Sequence, residues 1–201
     1  FGEFFQHVLD KAFDLDFFHL MLPEDAGGTG HGIDAFCVIM ENICQEDSSL
    51  AGILFTSTLA QQIFLAADAK QQLIEIVGDT EIPADFLIAF QALTNPGETR
   101  DLPVATRDDN GNYTLTGAAD YVVLGNICRQ ALIPAMLSGS QQYSFFLVLT
   151  SADGVILSDP VVSHGLHACP AVDMTLQTTP AVLVGTEGDG AVYFQKAAAV
   201  M

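Results

Sequence analysis

Val104-Ala105-Thr106-Arg107-Asp108-Asp109-Asn110-Gly111-Asn112-Tyr113-Thr114-Leu115-Thr116-Gly117 reads as a single β-hairpin. Val104 and Thr106, then Tyr113 and Leu115, alternate on either side of Asp109-Asn110-Gly111. Asn-Gly between alternating segments is a strong hairpin signal, because both residues tolerate the positive φ that a tight connection needs. Beyond the hairpin, short β-rich runs recur at 119–124, 131–137, 144–150, 154–158, 172–178 and 181–184. Repeated short strands with Gly and Pro turns predict a sandwich or a closed barrel. Before it, Phe86 to Leu93 is a compact apolar run of strand length.

Toward the amino end the period changes. Phe5, Val8, Leu9, Ala12, Phe13 and Phe17 fall at helical spacing. Pro23 to Gly32, rich in glycine, predicts a loop. Helical spacing resumes at Asp34 with Phe36, Val38, Ile39 and Ile43. Asp47 or Ser48 is placed to cap a further helix through about Ala67, and Asp68 a shorter one carrying Leu73, Ile74 and Val77. After Gly190, Val192, Tyr193, Lys196 and Ala197 to Val200 return to helix. The fold class is therefore α+β: an all-helical unit over 1–85, a β-barrel or sandwich over 86–185, and the first turns of another helical unit over 186–201.

Half of the 201 residues are hydrophobic, enough for a packed core and contrary to disorder. The net charge of −19 rests on six cations, Lys11, Lys70, Arg100, Arg107, Arg129 and Lys196. No cluster of them could neutralise phosphates, which argues against a nucleic-acid partner. No stretch approaches the ~20 uninterrupted apolar residues of a membrane helix, so no membrane insertion is expected. Phe1 is not a translation start, and no cleavage signal follows. The expectation is a fragment of a soluble cytoplasmic protein. Cys37, Cys44, Cys128 and Cys169 contain no CxxC pair and read as buried core thiols of a reducing compartment.

Four motifs stand in order: Leu22-Pro23-Glu24-Asp25-Ala26-Gly27-Gly28-Thr29-Gly30; Leu93-Thr94-Asn95-Pro96-Gly97 with Asp101; Tyr113 to Gly117 running into Ala119-Asp120-Tyr121-Val122-Val123; and Leu183-Val184-Gly185-Thr186-Glu187-Gly188-Asp189-Gly190. In this order and spacing they resemble the amino-terminal helical domain and middle β-domain of the acyl-CoA dehydrogenases. The resemblance covers nearly the whole chain and implies a carboxy-terminal helical domain that would begin at residue 186. It further implies FAD as cofactor, an acyl-CoA thioester as substrate and a homo- or hetero-oligomer. It implies an oxidoreductase of fatty acid metabolism. In that family a glutamate of the carboxy-terminal domain removes the proton α to the thioester, and flavin N5 accepts hydride from the β carbon. The protein supplies position and electrostatics to that chemistry. No residue of this chain is expected to be that base.

Carried over residue by residue, Gln91, Leu93 and Thr94 match positions whose backbone and hydroxyl face the pyrimidine end of the flavin. Thr99 and Arg100 stand where a Gly-Ser step approaches the flavin phosphate. Tyr121 replaces an aromatic residue that packs on the flavin, with Val122 beside it. Val123 occupies the place of the Ser or Thr that bonds N5, and valine cannot do so. His167 takes the place of an arginine. Asn95, Arg100 and Val123 depart from the family pattern. Weak or absent flavin binding by this chain alone is expected because Val123 cannot bond N5 and the third domain that completes the family's site is missing, while Arg100 could offset this with a charge-assisted bond. Two other readings follow: a non-catalytic partner subunit that has lost flavin contacts, or a flavin oxidase or monooxygenase on the same scaffold. Beside these, Thr94 as a turn former and Tyr121 as core remain open.

Gly27 to Gly32 resembles a phosphate cradle, yet no strand precedes it, and a turn between helices is the better reading. The Gly185–Gly190 segment holds two carboxylates that would repel phosphate. His164, His167 and Cys169 could ligate a metal, but a surface loop is the simpler reading, and no metal site is expected.

Overall fold

The computed structural model describes residues 4–78, 80–99 and 101–201. Helix α1 (Gln6–Asp14) buries Leu9, Ala12 and Phe13. The connection to α2 (Ile33–Glu46) folds back on itself: a Cβ at Gly28 would stand 2.1 Å from the Leu22 carbonyl oxygen. Only glycine permits that approach. Asp47 alone separates α2 from α3 (Ser48–Ala66), and its carboxylate accepts the Ser49 and Leu50 N–H groups at 2.9 and 3.0 Å. This is the expected N-cap.

α3 is buried on most of its circumference, with Leu54, Ile63 and Phe64 fully enclosed. Each such side chain stabilises the fold by about 1.5–3 kcal/mol relative to exposure. Gln61 and Gln62 turn their amides to the carbonyls of Phe18 and Met21, both at 3.3 Å, and so hold the preceding connection against the helix. Among the described residues α3 is the one helix long and apolar enough to cross a membrane; here it is the core helix. Helix α4 (Lys70–Val77) and the single turn α5 (Pro83–Phe86) lead to the strands.

The strands are β1 (Ile88–Phe90), β2 (Val104–Arg107), β3 (Tyr113–Val123), β4 (Gln130–Leu137), β5 (Tyr143–Leu149), β6 (Val155–Leu157) and β7 (Ala171–Val184). Pairing runs β3 to β7, β7 to β5, β5 to β4, and β4 back to β3 through β1 and β2, which closes a barrel with β6 attached to β7. The β2–β3 hairpin pairs Arg107 with Tyr113. Its turn is built on Asp108, whose carboxylate accepts the N–H groups of Asn110 and Asn112. Side-chain and backbone hydrogen bonds from Asn112 hold that carboxyl below its ordinary range. Helix α6 (Gly190–Val200) returns across α3. A Cβ at Gly185 would meet the Tyr193 ring at 2.7 Å and Ala67 Cβ at 2.9 Å, so that turn too requires glycine.

Several expectations are corrected. Phe86 to Leu93 is not one strand: Phe86 ends α5, and only Ile88–Phe90 is extended. All of Phe86–Phe90 is fully buried, because helices cover one face of β1 and the barrel interior takes the other. That is why the run is continuously apolar. Asp68 does not cap α4; it adopts φ +55°, and Ala69 takes the cap position without a side-chain bond. Cys37 and Cys44 are exposed, since α2 packs inward chiefly through Phe36 and turns the cysteine face outward. The runs 172–178 and 181–184 form one long strand, β7.

Candidate functional site

β1 and β2 lie end to end in one lane between β3 and β4. β1 pairs Phe90 with Val123 and Ile88–Phe90 with residues 130–132. β2 pairs Val104–Arg107 with residues 113–116, and Val104 and Ala105 with Met136 and Leu137. Between them the chain leaves the lane as the loop 91–103. That excursion interrupts the barrel wall, and it carries the Leu93-Thr94-Asn95-Pro96-Gly97 motif.

The loop is tied internally. Gln91 is buried, and its backbone oxygen accepts both the N–H and the hydroxyl of Thr94, at 3.2 and 3.1 Å. Asn95 accepts the Gly97 N–H at 3.0 Å and donates to Glu98 at 3.0 Å, capping a short 3-10 turn over Pro96–Glu98. The Thr99 hydroxyl donates to the Asn95 carbonyl at 3.2 Å. Asn95 thus stabilises a turn where the family pattern has glutamate. Leu93 is 57% exposed, a large apolar side chain at the opening. The N–H groups of Leu93 and Asn95 meet no acceptor among the described residues.

Tyr121 borders the same opening. It is half-buried, has φ +55°, and lies in a β-bulge where the β3–β7 register shifts between Ala119 and Val122. The Gln91 amide reaches across to the Asp120 carbonyl at 2.6 Å and joins the loop to the bulge.

The structure ties Gln91 to Thr94 directly and to the Tyr121 bulge through the Asp120 carbonyl, with Leu93 and Thr99 on the same loop. Val122 and Val123 are corrected: their side chains are 0% and 2% exposed and belong to the core. Both lie past the bulge in regular pairing, Val122 opposite Val172 and Val123 opposite Ala171, so they point to opposite faces, and both faces are covered at this end of the barrel. Arg100 lies outside the described residues. His167 is exposed in a loop held on the first turn of α3, where Ser48 donates to the Gly165 carbonyl and Ser49 accepts the Ala168 N–H. Cys169, in the same loop, is buried against Gly52, and burial pushes its thiol up to about 12. Among the described residues no group of three His, Cys, Asp or Glu is placed to hold a metal.

Two open grooves flank the 96–98 turn. One, of about 510 Å³, lies between Asn95, Gly97 and Glu98 and the α6 residues Ala191, Phe194 and Ala198. The other, of about 370 Å³, is bordered by Leu102, Met136, Gln142, Tyr143, Asp189 and Val192. Burial pushes the Tyr143 phenol up to about 12, so it stays neutral at ordinary pH. Glu187 is explained structurally: its carboxylate receives the Tyr113 hydroxyl and Arg107, and so ties the hairpin to the turn before α6. Sequence reasoning missed Asp173, whose carboxylate accepts the Tyr121 N–H at 2.9 Å. Its signal was an acidic residue inside the apolar strand run Ala171–Leu176.

A model of the acyl-CoA dehydrogenase N-terminal domain matches residues 2–73. The caffeyl-CoA reductase-Etf complex subunit CarC of Acetobacterium woodii is 28% identical over 88% of this chain and 48% of its own length. Benzylmalonyl-CoA dehydrogenase of Aromatoleum aromaticum is 25% identical over 91% of this chain and 50% of its own. The chain thus spans about half the length of these curated relatives. The solved butyryl-CoA dehydrogenase of Megasphaera elsdenii has the same fold, with a TM-score of 0.79 at 19% identity over 96% of this chain and 53% of that one. The helical layer and closed barrel agree with these likenesses, which indicate the acyl-CoA dehydrogenase family: residues 2–73 match its N-terminal domain, and the chain as a whole has the fold of its solved members.

Proposed function

We propose that this chain forms the flavin-facing part of an FAD-dependent enzyme that acts on the Cα–Cβ bond of an acyl-CoA thioester. The observation that carries the reading is the interrupted lane, where the 91–99 loop and the Tyr121 bulge meet through Gln91. Relatives named as a reductase and as a dehydrogenase of acyl-CoA compounds support it and leave the direction of the reaction open. Division of the chain at 85/86 and 185/186 belongs to the same proposal, as do a cytoplasmic setting and an oligomeric assembly.

The residues present suit the ring of a flavin. Leu93 and the half-buried Tyr121 offer apolar surface, and an aromatic side chain stacks well on a flat ring. The N–H groups of Leu93 and Asn95 are donors, and the Thr94 hydroxyl, whose proton goes to Gln91, keeps lone pairs to accept. Val123 supplies no hydroxyl. Bound there, FAD would supply a two-electron acceptor for hydride from the β carbon. The chain's own residues would orient that group, exclude water from one face and leave the groove beside α6 for the thioester.

A second reading, a non-catalytic partner subunit, is favoured by the enclosed Val123 and by the turn role of Asn95. One experiment separates the two. The intact protein is purified and its visible absorption recorded, then an acyl-CoA or a 2-enoyl-CoA with reductant is added without oxygen. Flavin bands that bleach or recover with substrate support the enzyme. A colourless protein that takes up no added FAD leaves the partner reading.

A further inference from the structure

The bulge in β3 contains one peptide group held from both sides by side chains. Ala119 pairs with Met174 and Val122 with Val172, so Asp120 and Tyr121 together oppose Asp173 alone. The Asp120–Tyr121 peptide therefore leaves the ladder, as one peptide of a bulge must. Its carbonyl accepts the Gln91 amide at 2.6 Å, and its N–H donates to the Asp173 carboxylate at 2.9 Å. Asp173 is itself fixed by Ser158, which accepts the Asp173 N–H at 2.9 Å and donates its own N–H to the Asp173 carbonyl at 2.9 Å. Gln91 is fixed by burial and by the turn that Thr94 closes on it.

Tyr121 at φ +55° has the left-handed conformation, which is strained for an L-residue because Cβ approaches the following carbonyl oxygen. Such residues persist where the surroundings over-determine them, and they concentrate at ligand clamps. We infer that Gln91 and Asp173 are positioning residues: gripping the two ends of one peptide, they hold Tyr121 at the opening in the orientation that meets the bound ring. This deepens the cofactor reading above and rests on it. Gln91 contributes twice, since it also starts the loop that presents Leu93 and Thr94, and so couples the two lips of the opening.

The test uses the intact protein with four substitutions: Gln91→Met, Asp173→Ala, Asp173→Asn and Tyr121→Gly. Two readouts are taken, amide hydrogen exchange at Tyr121 and titration with FAD followed by affinity and visible spectrum. Asp173→Asn keeps the acceptor oxygen; Asp173→Ala and Gln91→Met each remove one grip. The expected result is faster Tyr121 exchange in Asp173→Ala and Gln91→Met, with FAD affinity down on the order of tenfold and a shifted flavin spectrum, since a hydrogen bond to a charged group is worth about that factor or more. Asp173→Asn should restore both readouts. Tyr121→Gly removes the ring itself and should weaken FAD at least as much as loss of either grip. Faster exchange with unchanged affinity and spectrum would make the clamp purely structural and overturn the inference. Exchange unchanged in Asp173→Ala would overturn it as well. Failure of the cofactor reading is distinguishable: the parent protein then takes up no FAD, while Asp173→Ala and Asp173→Asn still differ in exchange. In that case too the assigned role falls.

Discussion

α2 and α3 are adjacent in sequence, divided by Asp47 alone, and both are rich in apolar side chains. Their fates differ. α3 is enclosed by α6, the barrel strand β1, α2 and α4, and even Ser57 and Gln61 on it are fully buried. α2 buries only Phe36, which joins Leu20 and Met21 in a small separate cluster, and it leaves Cys37, Val38 and Cys44 in solvent. Composition does not decide burial. A helix is buried when other elements are placed to cover it, and that placement is non-local. The contrast also bears on function, because the exposed α2 face is surface available to further protein, whereas α3 positions β1 and through it the Gln91 loop.

Four measurements break or sharpen the comparison. The largest contrast is in thiol reactivity. Burial pushes Cys169 up to about 12 and Cys128 higher still, so at pH 8 the Cys169 thiolate fraction is ~10³-fold below that of an ordinary thiol. Cys37 and Cys44, being exposed, should react with a thiol reagent in the native protein, the other two only after unfolding. Four equally fast thiols would refute the exposure pattern. Next, Phe64→Ala in the middle of the core should destabilise by about 3–5 kcal/mol in urea unfolding, the usual range for a buried phenylalanine. A loss under ~1 kcal/mol would mean that α3 is not the core helix.

Smaller is the joint between the two helices. Asp47→Ala removes two accepted N–H bonds and should cost about 1 kcal/mol, with Asp47→Asn or Asp47→Ser recovering most of it. Equal losses in all three variants would show that charge, not capping, matters there. Smallest is Val38→Ala, at a side chain 60% exposed, which should change stability by less than ~0.5 kcal/mol. A larger destabilisation in the intact protein, with none in this chain alone, would reveal that α2 is covered by further protein.

The helices, the Asn-Gly hairpin and the Asp47 cap were legible because each is a local signal: apolar residues three and four apart, alternation by two, an oxygen at the right distance from a free N–H. Asp68 showed the weakness of the same method. It stands near where a cap would, but the connection there takes a left-handed residue at Asp68, and Ala69 occupies the cap position instead. At the candidate site the motif around Leu93–Gly97 marked the loop, while the enclosure of both Val122 and Val123 was not legible, because it depends on distant segments covering both faces of that end of the barrel.

Period, capping and turn chemistry operate over a few residues, and so the sequence alone determined the order of helices and strands, the hairpin and the family pattern of the 93–97 loop. Which faces are buried, how β1 and β2 come to share one lane, and how Gln91 and Asp173 grip a single peptide from positions 82 residues apart were decided only by the tertiary structure (173 − 91 = 82). Those relations join segments distant in the chain, and the free energy that selects them comes from packing and from hydrogen bonds between them, which no short window of sequence contains.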